Sequence, residues 1–162
     1  MVKKKVLDAN HTLIFTSHFP YIGFSKNRYK ALLGIGGNIG DTLRRFEHLF
    51  VYLKRSPFIH IVESAPVLRN PAFGYREQED FYNTLLLVET TLRPKMLLRY
   101  ILAVERRFGR KRPFKNAPRT LDIDILFYED VMMETKDLIL PHPEWMKRSS
   151  VLVPLSRMKN RI

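Results

Sequence analysis

The chain has no cysteine, a single tryptophan, far fewer acidic than basic residues and no long apolar run. Without cysteine there is neither a disulfide framework nor a thiolate zinc site, which fits a reducing cytosol. No stretch approaches the roughly 18 apolar residues that a spanning helix requires, so no membrane segment is expected. Lys3, Lys4 and Lys5 resemble the basic start of an export signal, but Asp8, Asn10 and His11 interrupt the apolar segment that should follow. Linkers rich in glycine and serine, internal repeats and low-complexity segments are missing as well. At 162 residues the chain has the length of one domain.

What is present is ordinary in bulk, with 45% apolar and 27% charged residues, except for a net charge of +12. Such a surface attracts something anionic: nucleic acid, acidic membrane or a phosphorylated small molecule. Arg106, Arg107, Arg110, Lys111, Arg112, Lys115 and Arg119 crowd into one stretch, while the other basic residues are interspersed with acidic ones. That concentration points to a site.

Residues 1–29 have strand-like aromatics but weak alternation and are expected to form an appended arm or hairpin. From Tyr29 the pattern becomes regular. "KALLGIG" reads as an apolar strand running into a glycine-rich turn, "GGNIGD", after which Asp41 caps a helix carrying Leu43, Phe46, Phe50 and Leu53. "FIHIVES" is a second strand, "APVLRNPAFGYREQED" a long loop, and "FYNTLLLVETT" a third, buried strand. Pro94 suits the first turn of a helix carrying Met96, Leu97, Ile101, Val104 and Phe108, with Gly109 placed to end it. The basic loop follows, then the strand "LDIDILFY". The expected fold class is therefore α+β, with a ferredoxin-like βαββαβ core whose antiparallel sheet is flanked by helices, spanning residues 30–162. RNA-recognition domains and small-molecule enzymes share this topology, so the site must decide between them.

In a strand, Asp122 and Asp124 project from one face about 7 Å apart, while Ile123 and Ile125 point the other way. Two carboxylates in apolar surroundings need positive charge beside them. A divalent cation satisfies both, and carboxylates with phosphate oxygens suit Mg²⁺. The alternatives are an exposed sheet face or ion pairing with Arg119. The loop "GRKRPFKNAPR" tips the balance, because Arg110, Arg112 and Arg119 offer planar forks matched to a polyphosphate. A nucleic-acid groove gains nothing from carboxylates at its floor, whereas metal-assisted phosphoryl transfer needs both signs together. An RNA-binding module would also need exposed aromatics on its central strands, where "LLGIG" and "TLLLVE" offer aliphatics. "GIGGNIGD" reads as a tight turn before it reads as a phosphate loop, and His142 in "LPHPEWMKR" is either a phosphate donor or a structural loop histidine.

From Ala31 to about Met158 these motifs resemble the 6-hydroxymethyl-7,8-dihydropterin pyrophosphokinase family. The likeness is carried by "LLGIGGNIGD", "QEDFYNTLLLVETTL", "VERRFGRKR", "APRTLDIDILFY" and "LPHPEWMKRSSVLVPL". It implies transfer of the diphosphate of ATP to the pterin hydroxymethyl group, with release of AMP, in folate synthesis. It further implies that Asp122 and Asp124 hold two Mg²⁺ ions, and that Arg110 and Arg119 join them as catalytic residues by stabilising the transferred group. Glu105, Arg112, Ile125, His142 and Arg148 would line the ATP site, and Phe81 and Asn83 would hold the pterin. The expected partners are ATP and the pterin alone, with no nucleic acid or membrane, for a monomer in the cytoplasm. Ser150 stands where the family usually has a phenylalanine against the pterin's second face. Trp145, Phe73 or Tyr75 are candidates to replace it. Asn116 stands near a usual tryptophan.

Overall fold

In the computed structural model, residues 2–71, 78–109 and 120–160 are described. The central strand β4 (Tyr29–Gly37) leads into α1 (Thr42–Lys54). The Asp41 carboxylate accepts from the Arg44 amide at 3.2 Å, capping the helix as its position suggested. β5 (His60–Ser64), β6 (Val67–Asn70) and β7 (Phe81–Thr90) follow. Then come α2 (Pro94–Arg107), with proline in its first turn, and β8 (Asp122–Tyr128). β4 lies between β7 and β8, antiparallel to both. β5 and β6 pair with successive halves of β7 on its other side. The result is an α+β fold with an antiparallel sheet and, among the described residues, three α-helices.

Alternation sorts the strands' side chains onto two faces. On one, Ala31, Leu33, Ile35, Leu86, Val88, Ile123 and Ile125 meet Phe46, Leu49 and Phe50 of α1 and Leu97, Ile101 and Val104 of α2. Phe46, Leu49 and Phe50 are wholly buried, each stabilising the fold by about 1.5–3 kcal/mol. On the other face, Leu32, Leu85, Leu87 and Leu126 pack against Val151 of the short helix α3 (Ser149–Ser156).

Several elements differ from the expectation. The N-terminal segment, expected as an appended arm or hairpin, forms the hairpin of β1 (Lys3–Asp8) and β2 (His11–Phe15), and this hairpin and β3 (Tyr21–Ile22) join the same sheet through β2–β6 and β3–β5 pairing. Its Ile14 and Phe19 lie in the core cluster. The first residues of the expected long loop form β6, because Leu68 and Val67 bury against β2 and β7. Gly37, expected in the turn, is the last residue of β4, so the turn begins only at Asn38. Met96 is half exposed, since the buried stripe of α2 runs through Leu97, Ile101 and Val104. Beyond β8, β9 (Met133–Glu134) and β10 (Ile139–Leu140) form a separate small ribbon.

Candidate active site

α3 is eight residues long and covers only part of its face of the sheet. Further along the same strands the apolar residues give way to Phe81, Asn83, Gly34, Gly36, Asp122 and Asp124, which line a cleft. Arg148, Ser150 and Val151, at the start of α3, close one side of it. Strand register explains the placement. Gly36 lies opposite Asn83 on β7 and opposite Asp122 on β8, and Gly34 lies opposite Asp124. The two glycines form the floor of the cleft because a side chain would fill it. A Cβ on Gly36 would come within 2.7 Å of the Asn83 Oδ1, and one on Gly34 within 3.3 Å of Leu126.

Asn83 is itself held, its Nδ2 donating to the Asn70 Oδ1 at 3.1 Å. This fixes which end of the amide is which and leaves Oδ1 over Gly36. Asp122 is 9% exposed and Asp124 is half-buried. Among the described residues no group of three or more His, Asp or Glu side chains is arranged to hold a metal. Two adjacent carboxylates above a glycine floor nevertheless suit a hard divalent cation that takes its other oxygens from phosphate and water.

His142 borders the site beyond the edge of β8. Its amide donates to the Leu126 carbonyl at 2.9 Å, and its Nδ1 accepts from the Glu144 amide at 3.2 Å. With Nδ1 accepting, the neutral ring carries its proton on Nε2, which is then a donor. Burial lowers the imidazole pKa; Asp124 opposes this and Arg148 reinforces it. The aspartates, Arg148 and His142 therefore lie within electrostatic reach of one another.

Glu105 and Ile125 are not among the lining residues of the cleft. Glu105 is buried behind β8, where its Oε2 accepts from the Ile123 amide at 2.5 Å. The Ile125 side chain belongs to the core under α1 and α2. Trp145, a candidate second stacking partner, packs edge-on against Phe127 with ring centres 4.9 Å apart and is not among the cleft's lining residues. Arg110, Arg112, Arg119, Phe73, Tyr75 and Asn116 lie outside the described residues. Sequence reasoning missed the floor and the Asn70 brace. The signal for the floor was glycine at i and i+2 of an otherwise apolar strand, which marks a close approach on one face.

Comparison with known proteins bears on this geometry. The family model for 7,8-dihydro-6-hydroxymethylpterin-pyrophosphokinase matches residues 32–160. A Helicobacter pylori 2-amino-4-hydroxy-6-hydroxymethyldihydropteridine pyrophosphokinase is 43% identical over 129 residues, covering 78% of this chain and 79% of its own length. A Campylobacter jejuni protein of the same name is 41% identical over 141 residues, covering 85% of this chain and 88% of its own. One from Aquifex aeolicus is 38% identical over 130 residues, covering 80% of each.

Proposed function

Because this chain belongs to the 7,8-dihydro-6-hydroxymethylpterin-pyrophosphokinase family, it is a pyrophosphokinase acting on hydroxymethyldihydropterin in folate biosynthesis, and we propose how its cleft does so. In this reading the donor is ATP, the products are the pterin diphosphate and AMP, and Asp122 and Asp124 hold two Mg²⁺ ions. The carrying observation is that both carboxylates share one glycine-floored cleft with Phe81 and Asn83.

The pterin is flat, neutral and rich in paired donors and acceptors. Phe81 stacks on its ring, and Asn83, braced by Asn70, pairs with its edge. This turns the hydroxymethyl group toward the aspartates. The metal ions, when bound, neutralise phosphate charge at the reacting phosphorus. Arg110 and Arg119 stabilise the transferred pyrophosphoryl group, with Arg112 and Arg148 on the nucleotide's phosphates. His142 donates through Nε2 to a phosphate oxygen. Positioning and charge stabilisation supply most of the acceleration, and no side chain is required as general base.

Glu105 enters this scheme from behind. By binding the Ile123 amide it holds the edge strand that carries both aspartates. Strand alternation turns the Ile123 amide and the Ile125 backbone toward the edge of β8 that faces away from β4, where Ile125 offers a donor and an acceptor to the adenine. The reading also carries a ferredoxin-like core over residues 30–162, supported by the sheet order β8–β4–β7–β5. It takes the chain as a cytoplasmic monomer with no nucleic-acid or membrane partner. Incubation with Mg²⁺, ATP and 6-hydroxymethyl-7,8-dihydropterin tests it: AMP and the pterin diphosphate are expected, and formation of ADP would overturn it.

A further inference from the structure

The family match begins at residue 32, so the β1–β2 hairpin lies outside it. Yet the hairpin reaches the elements behind both walls of the cleft. On one side β2 pairs with β6, Leu13 opposite Leu68, and β6 pairs with β7, Leu68 opposite Asn83 and Asn70 opposite Phe81. The hairpin is thereby in register with the wall that carries Phe81 and Asn83. On the other side, the His11 Nε2 lies 3.2 Å from the Ser149 Oγ. Ser149 is the first residue of α3 and stands between Arg148 and Ser150, both of which line the cleft.

The imidazole is itself fixed. Its Nδ1 lies 2.9 and 3.0 Å from the two carboxylate oxygens of Asp8, which also accepts from the Asn10 amide at 2.8 Å. A carboxylate only accepts, so Nδ1 carries a proton and the neutral ring presents Nε2 as an acceptor for the Ser149 hydroxyl. The order carboxylate, imidazole, hydroxyl is also that of a nucleophile relay. Here, however, Ser149 is not among the cleft's lining residues, and Asp8 is largely exposed. The hydroxyl therefore serves the wall and not the substrate. α3 has need of such a tie, because no side chain caps it: Arg148 at its N-cap makes no capping bond.

We infer that His11 is a positioning residue, which ties the start of α3 to the N-terminal hairpin through Ser149 and so sets the spacing between Arg148 and Ser150 on one wall of the cleft and Phe81 and Asn83 on the other. The inference rests on the pyrophosphokinase reading for its catalytic consequence, but the tie itself can be measured without turnover.

The experiment compares wild type, His11→Ala, His11→Gln, Ser149→Ala and the His11→Ala/Ser149→Ala pair. Loss of a partly buried hydrogen bond that positions substrate should raise KM about 3- to 10-fold, with kcat changed less. The two alanine variants should match each other, and the double variant should be no worse than either, since they remove one interaction. Glutamine places an amide oxygen where Nε2 stood and should restore most of the loss. Lys4→Ala, elsewhere on the hairpin, should leave both parameters unchanged. Amide exchange at Leu152, whose N–H bonds the Arg148 carbonyl in the first turn of α3, should quicken in His11→Ala. Unchanged exchange and unchanged KM in His11→Ala, with wild-type turnover intact, would overturn the inference and leave the pyrophosphokinase reading standing. An inactive wild type would instead count against that reading, with the exchange result still deciding the tie.

Discussion

The two faces of the sheet are made by the same strands and have opposite fates. Under α1 and α2 the face is closed, with Leu33, Ile35, Leu86, Ile123 and Ile125 in one continuous core. Under α3 it is closed only as far as Leu85 and Leu126, and beyond them Gly34, Gly36, Asn83, Asp122 and Asp124 remain around a cleft. Residues that hold the fold thus alternate along these strands with residues that face the cleft. Asp122 and Asp124 are fixed in space because Ile123 and Ile125 are packed. Stability and catalysis are separable in principle by the parity of the position.

The sharpest break of that separation comes on the open face. Asp124→Asn should lower turnover more than about 100-fold, by analogy with the loss of one key electrostatic group, while the thermal melt stays close to wild type. Leu86→Ala, on the closed face of β7, should do the reverse. It should cost about 3 kcal/mol in denaturant unfolding and leave turnover per folded molecule within about twofold. A smaller effect is expected at the floor. Gly36→Ala forces the Asn83 amide aside and should raise KM for the pterin about tenfold, with stability changed by less than about 1 kcal/mol, since only a side-chain end must move.

The smallest effect is expected at Glu47 of α1. Burial works against ionisation of Glu47, but hydrogen bonds from Thr16 and His18 outweigh it and hold the carboxyl below its ordinary value of 4.5. Its contribution to stability is therefore fully present above that value and is lost as the pH falls through the folded-state pKa. Glu47→Gln should be slightly less stable at neutral pH and should show a shallower decline below pH 4.5, followed by urea unfolding across that range.

Much of this contrast was legible in the chain. The spacing of Phe46, Phe50 and Leu53, the proline at the start of α2 and the alternation of "DIDIL" are each local signals, so local pattern located α1, α2 and the aspartates. What escaped depends on neighbours. Val67 to Asn70 is too short and too near Pro71 to announce a strand, and becomes one only between β2 and β7. For the N-terminal segment weak alternation left arm and hairpin open, and what escaped was the pairing of the β1–β2 hairpin with β6 and the burial of Leu13 and Ile14. α3 contains Pro154, has no capping side chain and is fixed by its packing on the sheet. Gly36 was read at the junction of strand and turn, where glycine is common for its backbone freedom. Here the close approach of Asn83 requires its lack of a side chain. The same dependence on neighbours hid the role of His11, whose partner is 138 residues away in the chain.

In the proposed site the paired aspartates of the open face seat divalent ions together with the nucleotide's phosphates. Electron paramagnetic resonance titration of Mn²⁺ into the protein with the pterin and a non-hydrolysable ATP analogue counts those ions directly. Two tightly bound ions per wild-type chain, both lost in the Asp122→Asn/Asp124→Asn variant while its thermal melt is unchanged, is the predicted result. The same stoichiometry and affinity in that variant would contradict it.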